Sequence, residues 1–199
     1  MKLTEIITNP VRDEYIDKYD HVFVDATPVA KIRNLILKIS DFDGFKYLGL
    51  FDGDLLVGIL KLMPYKDTPM WQVVLVQIAQ VYKGQYYGTF LYDYVVLDMG
   101  ITLLSDVNLS VNEMGGSIGL WQRLYMQGRY QVGVYNAQTG KITKKTPQQL
   151  AQKQTTHLLL VAVPSGKTIN ETITEQNFGR TDRTIVFYGP TVVNPGSGF

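Results

Sequence analysis

The chain has 199 residues, 45% hydrophobic and 19% charged, a size and balance that suit one globular domain or a domain with an appendage. Nineteen basic against 18 acidic residues leave a net charge of +1, too small a surplus for a protein that coats nucleic acid. The absence of Cys excludes disulfides, thiolate nucleophiles and Cys-based zinc sites, and two distant His, His21 and His157, exclude a multi-His metal centre. No apolar run reaches the ~20 residues of a membrane span. The opening stretch, MKLTEIITNPVRDE, lacks a signal-peptide core, so a cytoplasmic location is expected.

Asn9-Pro10 is a good helix start, and a short helix over residues 10–19 is expected, with Val11, Tyr15 and Ile16 on one face. HVFVD at residues 21–25 reads as a short strand. Thr27-Pro28 repeats the cap-and-proline start, and Val29, Ile32, Ile36 and Ile39 recur at helical spacing, so a second helix is expected through Ser40. DFDG at 41–44 is a turn. Two strand-like runs, KYLGLF and DLLVGILKLMP, flank Asp52-Gly53, a strong hairpin signal. Trp71 to Val81 is apolar on both faces, as a central strand should be.

Gly84 and Gly88 follow, and from Tyr87 the spacing turns helical through Tyr87, Phe90, Leu91, Tyr94 and Val95, with Gly100 placed to end the helix. Residues 101–104 form a short strand. Ser110-Val111-Asn112-Glu113 is a capping box, opening a helix with Met114, Ile118, Trp121 and Tyr125 on one face and its end near Gly128. Strands are expected over residues 130–135, 157–163 and 183–188, with a short helix after Thr146-Pro147 and an exposed basic loop at 141–145. The division suggested is a domain over residues 1–163 and a loop-rich extension with one strand over 164–199.

Residues 71–98 gather these features into one device: a strand, a glycine-bearing turn and a helix start. The first amides of a helix are unpaired donors at the positive end of its dipole, which suits an anion. A plain strand–turn–helix that needs its glycines for the bend fits the same spacing. The order of elements around it resembles the GNAT acyltransferase superfamily, over roughly residues 45–136. That family carries Arg/Gln-x-x-Gly-x-Gly/Ala at the turn, and here the pattern falls on Lys83-Gly84-Gln85-Tyr86-Tyr87-Gly88. Lys83 keeps a positive charge, Gly88 matches, and Tyr86 stands where Gly is usual.

The resemblance implies an α/β (α+β) fold, with a mixed, mostly antiparallel sheet, a splayed central strand pair and flanking helices. It implies transfer of an acetyl group from acetyl-CoA, or another acyl-CoA, to an amine. Its coenzyme contacts would come from Ile78, Ala79, Val81, Lys83, Gly84, Tyr86, Tyr87, Gly88 and Thr89. A carboxylate base and a Tyr acid are usual there. The central strand offers Gln72, Gln77 and Gln80 in place of a carboxylate, and Trp121 stands where the Tyr is usual. The nearest acids in sequence are Asp67 before the strand and Asp106 after the next one; Asp106 and Tyr125 are taken as the candidates for the two roles. Residues 103–128, with Ser105-Asp106, Leu109-Ser110, Gly115-Gly116 and Leu120-Trp121-Gln122-Arg123-Leu124, resemble acyltransferase-like proteins of tailed bacteriophages. That implies the host cytoplasm or the virion as setting and, on a second reading, a weakly active or inactive protein that binds a host or virion protein. A homodimer is compatible with either reading.

Overall fold

The computed structural model describes residues 14–107, 116–147, 157–165 and 185–187. It is an α+β protein built on one ten-stranded sheet: β1 (Pro28–Ile32), β2 (Leu35–Phe42), β3 (Phe45–Asp52), β4 (Leu55–Pro64), β5 (Trp71–Ile78), β6 (Leu103–Leu104), β7 (Gln131–Asn136), β8 (Ile142–Thr143), β9 (Leu158–Val163) and β10 (Ile185–Phe187). The spatial order is β10-β1-β2-β3-β4-β5-β6-β9-β7-β8. Every pairing is antiparallel except that of β5 with β6. Among the described residues three α-helices accompany it: α1 (Glu14–Asp17), α2 (Tyr87–Asp93) and α3 (Gly116–Gln127).

The first five strands are a meander on short turns. Asp43 and Gly44 take φ of 50° and 75° between the paired residues Phe42 and Phe45, the backbone a tight hairpin requires. Gly53 takes φ 59° in the loop between Asp52 and Leu55, so the Asp-Gly signal marks the hairpin one residue early.

Two expectations are corrected here. The helix expected through residues 28–40 is the β1–β2 hairpin. Its buried residues, Ala30, Ile32, Leu35 and Leu37, alternate with period two, and Ile32 pairs with Leu35 across Arg33-Asn34. The β-branched Val29, Ile32, Ile36 and Ile39 lose rotamer freedom in a helix and suit a pleated sheet. HVFVD is likewise no strand: Asp20–Phe23 is a 3-10 turn that plants Phe23 on the sheet, edge-on to Phe51 at 5.4 Å between ring centroids. Gly49 makes that contact possible, since a Cβ there would meet Phe23 Cζ at 2.7 Å.

On the opposite face lie α2 and α3. Burial of Tyr87, Phe90, Leu91, Tyr92, Val95 and Val96 sinks the first of these almost entirely into the core. The helix runs on from Asp93 as a π-helical turn, Tyr94–Asp98, with Met99 N–H donating to Tyr94 O, and Gly100 at φ 64° ends it. Trp121 of α3 is fully buried, edge-on to Tyr92 at 5.5 Å. The capping box at Ser110 and most of the helix after Thr146-Pro147 lie outside the described residues. The basic stretch 141–145 includes the two-residue β8, and β10 pairs with β1 at the far edge of the sheet.

Candidate functional site

The site begins where β5 parts from β6. These strands pair only through Trp71–Leu103 and Gln72–Leu104, yet β5 continues to Ile78 along β4. Between Val73 and Leu75 the β4–β5 register slips, and Val74 is the extra residue, half out in solvent. A bulge bends its strand and sharpens the twist, which carries the end of β5 away from β6. The root of the fork is pinned by buried polar groups. Gln72 donates through Nε2 to Ser105 O at 3.1 Å, and Ser105 Oγ accepts from Leu160 N–H at 3.0 Å.

The direction of the β5 peptides follows from one bond. Ala79 N–H donates to Val57 O at 2.8 Å, so Ala79 faces β4. Ladder bonds alternate along an antiparallel strand, so the peptides of Val76 and Ile78 face the other way, into the fork. Among the described residues no strand pairs with them there. A backbone edge of this kind can bond an extended ligand arm as it would a further strand.

The chain then turns at Gln80–Tyr82 and enters the glycine turn. Lys83 is extended and exposed, Gly84 sits at φ 78°, and Tyr86 takes a left-handed φ of 66° as the residue before α2. This explains the family's preference for Gly at that place: the backbone is left-handed, and Tyr adopts it at a cost of roughly 1–2 kcal/mol. The Tyr86 side chain is 57% exposed. The first bond of the helix is from Phe90 N–H to Tyr86 O, and no side chain caps the end. The amides of Tyr87, Gly88 and Thr89 thus come before the helix has an acceptor for them. Gly88 faces Ile78, with a would-be Cβ 3.9 Å from Ile78 Cγ1, so the turn and the end of β5 are one surface.

Neighbouring hairpins brace this surface. Asp52 Oδ2 accepts from Tyr82 Oη at 2.7 Å and Oδ1 accepts from Asn34 Nδ2 at 3.2 Å. Burial, then the Asp52 bond and charge, push the Tyr82 phenol up to about 12. Arg33, at the β1–β2 turn, donates to Gln85 Oε1 at 3.4 Å and lies 5.7 Å from the centre of the Tyr87 ring. Gln85 donates in turn to Val81 O. Arg33, Asn34 and Tyr82 could not be picked from sequence, because the hairpin that delivers two of them reads as helix.

Of the residues singled out for the coenzyme, Ile78, Lys83, Gly84, Tyr86, Tyr87, Gly88 and Thr89 fall on the β5 end and its turn. Ala79 is buried, with its amide already bonded to Val57, and Val81 is 61% exposed on the connecting turn. Asp106 follows Ser105 just past β6, half-buried; after burial, its charge is the next cause that raises the Tyr92 phenol. Tyr125 is 43% exposed on α3, off the buried stripe of Leu120, Trp121 and Leu124. Trp121 is sealed in the core and meets no solvent. Asp41 and Asp52 act as hairpin posts: Asp41 pairs with Lys46, and Asp52 accepts from Asn34 and Tyr82. No group of three metal-ligating side chains occurs among the described residues. Among the same residues, no helix is long and apolar enough to cross a membrane.

No family model matches this sequence, and no curated protein matches it. Solved structures overlap with it at low identity. The ribosomal-protein-S18-alanine N-acetyltransferase of Escherichia coli is 14% identical over 69% of this chain and 77% of its own, with a TM-score of 0.36. NAA60 of Arabidopsis thaliana, solved with a bisubstrate analogue, is 13% identical over 79% of this chain and 97% of its own, at 0.38. An aminoglycoside 6'-N-acetyltransferase complexed with coenzyme A is 15% identical over 66% of this chain and 77% of its own, at 0.31. Overlaps at these scores assign no activity, so a functional reading has to come from the fork and its turn.

Proposed function

We propose that the protein is an N-acyltransferase of the GNAT type that binds an acyl-coenzyme A, acetyl-CoA first among them, and transfers the acyl group to an amine. The observation that carries the reading is the forked β5–β6 pair beside an uncapped helix start. The bare peptides of Val76 and Ile78 suit the amide-bearing arm of coenzyme A, and the amides of Tyr87, Gly88 and Thr89, with Lys83, suit its diphosphate.

The coenzyme supplies an activated acyl group as a thioester. Transfer forms an amide bond, breaks the thioester bond and moves one proton from the amine to the leaving sulfur. In this reading Asp106, just past the root of the fork, takes the amine proton, and Tyr125 protonates the leaving thiolate. A backbone N–H of β5 polarises the carbonyl. The Leu120-Trp121-Gln122-Arg123-Leu124 helix motif extends the proposal to a phage source. A second reading, coenzyme binding without turnover in a protein that engages a host or virion partner, is favoured by the absence of a carboxylate on β5.

Calorimetric titration with acetyl-CoA tests the first step. Micromolar binding that Gly88→Trp abolishes supports the site, since a side chain grows there from a position with ordinary contact only. No binding at millimolar ligand overturns the coenzyme reading. Asp106→Asn separates the two versions: binding kept with transfer lost supports an enzyme, whereas a wild-type chain that binds and acylates no amine in a panel leaves the second reading.

A further inference from the structure

The β1–β2 hairpin places a guanidinium at the glycine turn, 52 positions away in sequence from the residue it touches. We propose that Arg33 is a ligand-binding residue that grips the diphosphate of the bound coenzyme, an inference that rests on the acyl-coenzyme A reading above.

Four observations support it. Arg33 stands at φ 55°, a conformation that favours Gly or Asn, so its place in the turn is not explained by backbone preference. Its side chain is aimed by two partners on the turn: Gln85 Oε1 at 3.4 Å and the Tyr87 ring at 5.7 Å. Both holds are weak, a long bond to a neutral amide and a ring contact at 5.7 Å, close to the outer limit for a cation over a ring. Most of its five N–H donors therefore remain for a ligand. Neither Arg33 nor Lys83 has a carboxylate partner among the described residues. The nearby carboxylate, Asp52, has both oxygens occupied by Asn34 and Tyr82.

Two cations without an ion-pair partner among the described residues therefore flank amides that lack helix acceptors, on a protein whose overall charge is only +1. A guanidinium matches two phosphoryl oxygens at once, where a lysine offers a point charge. The Asp52 post holds the β1–β2 turn and the Gln80–Tyr82 turn together, so the hairpin and the cradle form one clamp. Arg33 thus selects ligands that carry a diphosphate over those that offer only the pantetheine arm.

The test uses the full chain, acetyl-CoA and 3'-dephospho-acetyl-CoA. Asn accepts a left-handed φ more readily than Arg, so Arg33→Asn keeps the turn while removing the cation, and an unchanged Tm checks that. Arg33→Asn is expected to weaken both ligands by about 10- to 100-fold, with Arg33→Lys restoring part of the loss. Equal affinity of Arg33→Asn and wild type for both ligands overturns the proposal while leaving the coenzyme site intact. A loss confined to acetyl-CoA, absent with the dephospho ligand, also overturns it by assigning Arg33 to the 3'-phosphate. If the wild-type chain binds neither ligand, the coenzyme reading itself fails and takes this inference with it.

Discussion

The meander β1–β5 and the crossover β5–α2–β6 share a strand and differ in nearly everything else. In the meander, two-residue turns hold β1 to β2, β2 to β3 and β3 to β4, and the ladders run almost the length of each strand. In the crossover a parallel pair is held by two residue pairs and then opens. A fully paired sheet has no backbone donors to offer, whereas a strand released on one side keeps a row of them. The backbone is thus fully paired through the antiparallel meander and open just past the short parallel pair, with β5 belonging to both.

The strongest way to break that contrast is to remove the packing that holds the crossover. Trp121→Ala deletes the largest fully buried side chain, the one set against Tyr92 of α2. A loss of about 3–5 kcal/mol is expected in urea unfolding. Because β5 belongs to both regions, the transition should remain single. Two resolved transitions would show that the meander stands alone.

A smaller effect is expected in the meander. Gly49→Ala puts a Cβ 2.7 Å from Phe23 Cζ and 2.8 Å from Phe51 Cε2, and both rings must shift. Overpacking of this kind costs about 1–3 kcal/mol. Acetyl-CoA affinity should not change, because Gly49 lies on the face away from α2. A changed affinity would tie the two faces of the sheet together.

Smaller still, and of opposite sign, is Tyr86→Gly. Relief of the left-handed strain, less the greater backbone entropy of Gly in the unfolded chain, leaves a gain of about 0.5–1 kcal/mol in urea unfolding. No gain, or a loss, would mean that the exposed Tyr86 ring makes up its strain elsewhere. The variant also puts Gly where the acyltransferase pattern that the turn resembles has it, so on the acyl-coenzyme A reading tighter acetyl-CoA binding is expected to accompany the gain.

How far the sequence carries depends on which of the two regions is read. Asp52-Gly53 announces a hairpin, one residue early, and residues 41–44 announce a turn, because Asp43, Gly44 and Gly53 take the positive φ that a tight turn requires. Leu158 to Val163 announces a buried strand by an unbroken apolar run, and Leu55 to Pro64 by a run that only Lys61 interrupts. The glycine turn is legible for the same local reason, down to the misfit of Tyr86. Arg33-Asn34 gives no such signal, and Ile32 and Ile36 suit a helix stripe as well as a strand, so β1 and β2 were hidden. The fork entered only through the resemblance, which implies a splayed central pair, and no local pattern marks it, since a bulge at Val74 and the early end of β6 are decided by packing between distant segments. Asp52, Asn34 and Tyr82 become partners only once three turns meet.

That meeting point gives the subtlest prediction, because the Tyr82–Asp52 bond is where the meander is fastened to the crossover. The native Tyr82 phenol is pushed up to about 12, chiefly by burial and then by Asp52, while in the unfolded chain it ionises near 10. Folding thus favours the protonated phenol. Below pH 10 both states hold the proton and the stabilisation is fully present. Between pH 10 and about 12 the unfolded chain releases its proton first, and stability falls as pH rises. Tyr92 and Tyr130, raised mainly by burial, add to the slope in the same direction. Tyr82→Phe should cost roughly 1 kcal/mol at pH 8, for one partly exposed hydrogen bond to a charged group. The gap to wild type should narrow as the pH climbs past 10, because Phe has no proton to lose. Thermal melts of both proteins from pH 8 to 11.5 check this. Parallel curves would show that Asp52 does not hold Tyr82 in solution, and the clamp that presents Arg33 and the cradle together would then lack its post.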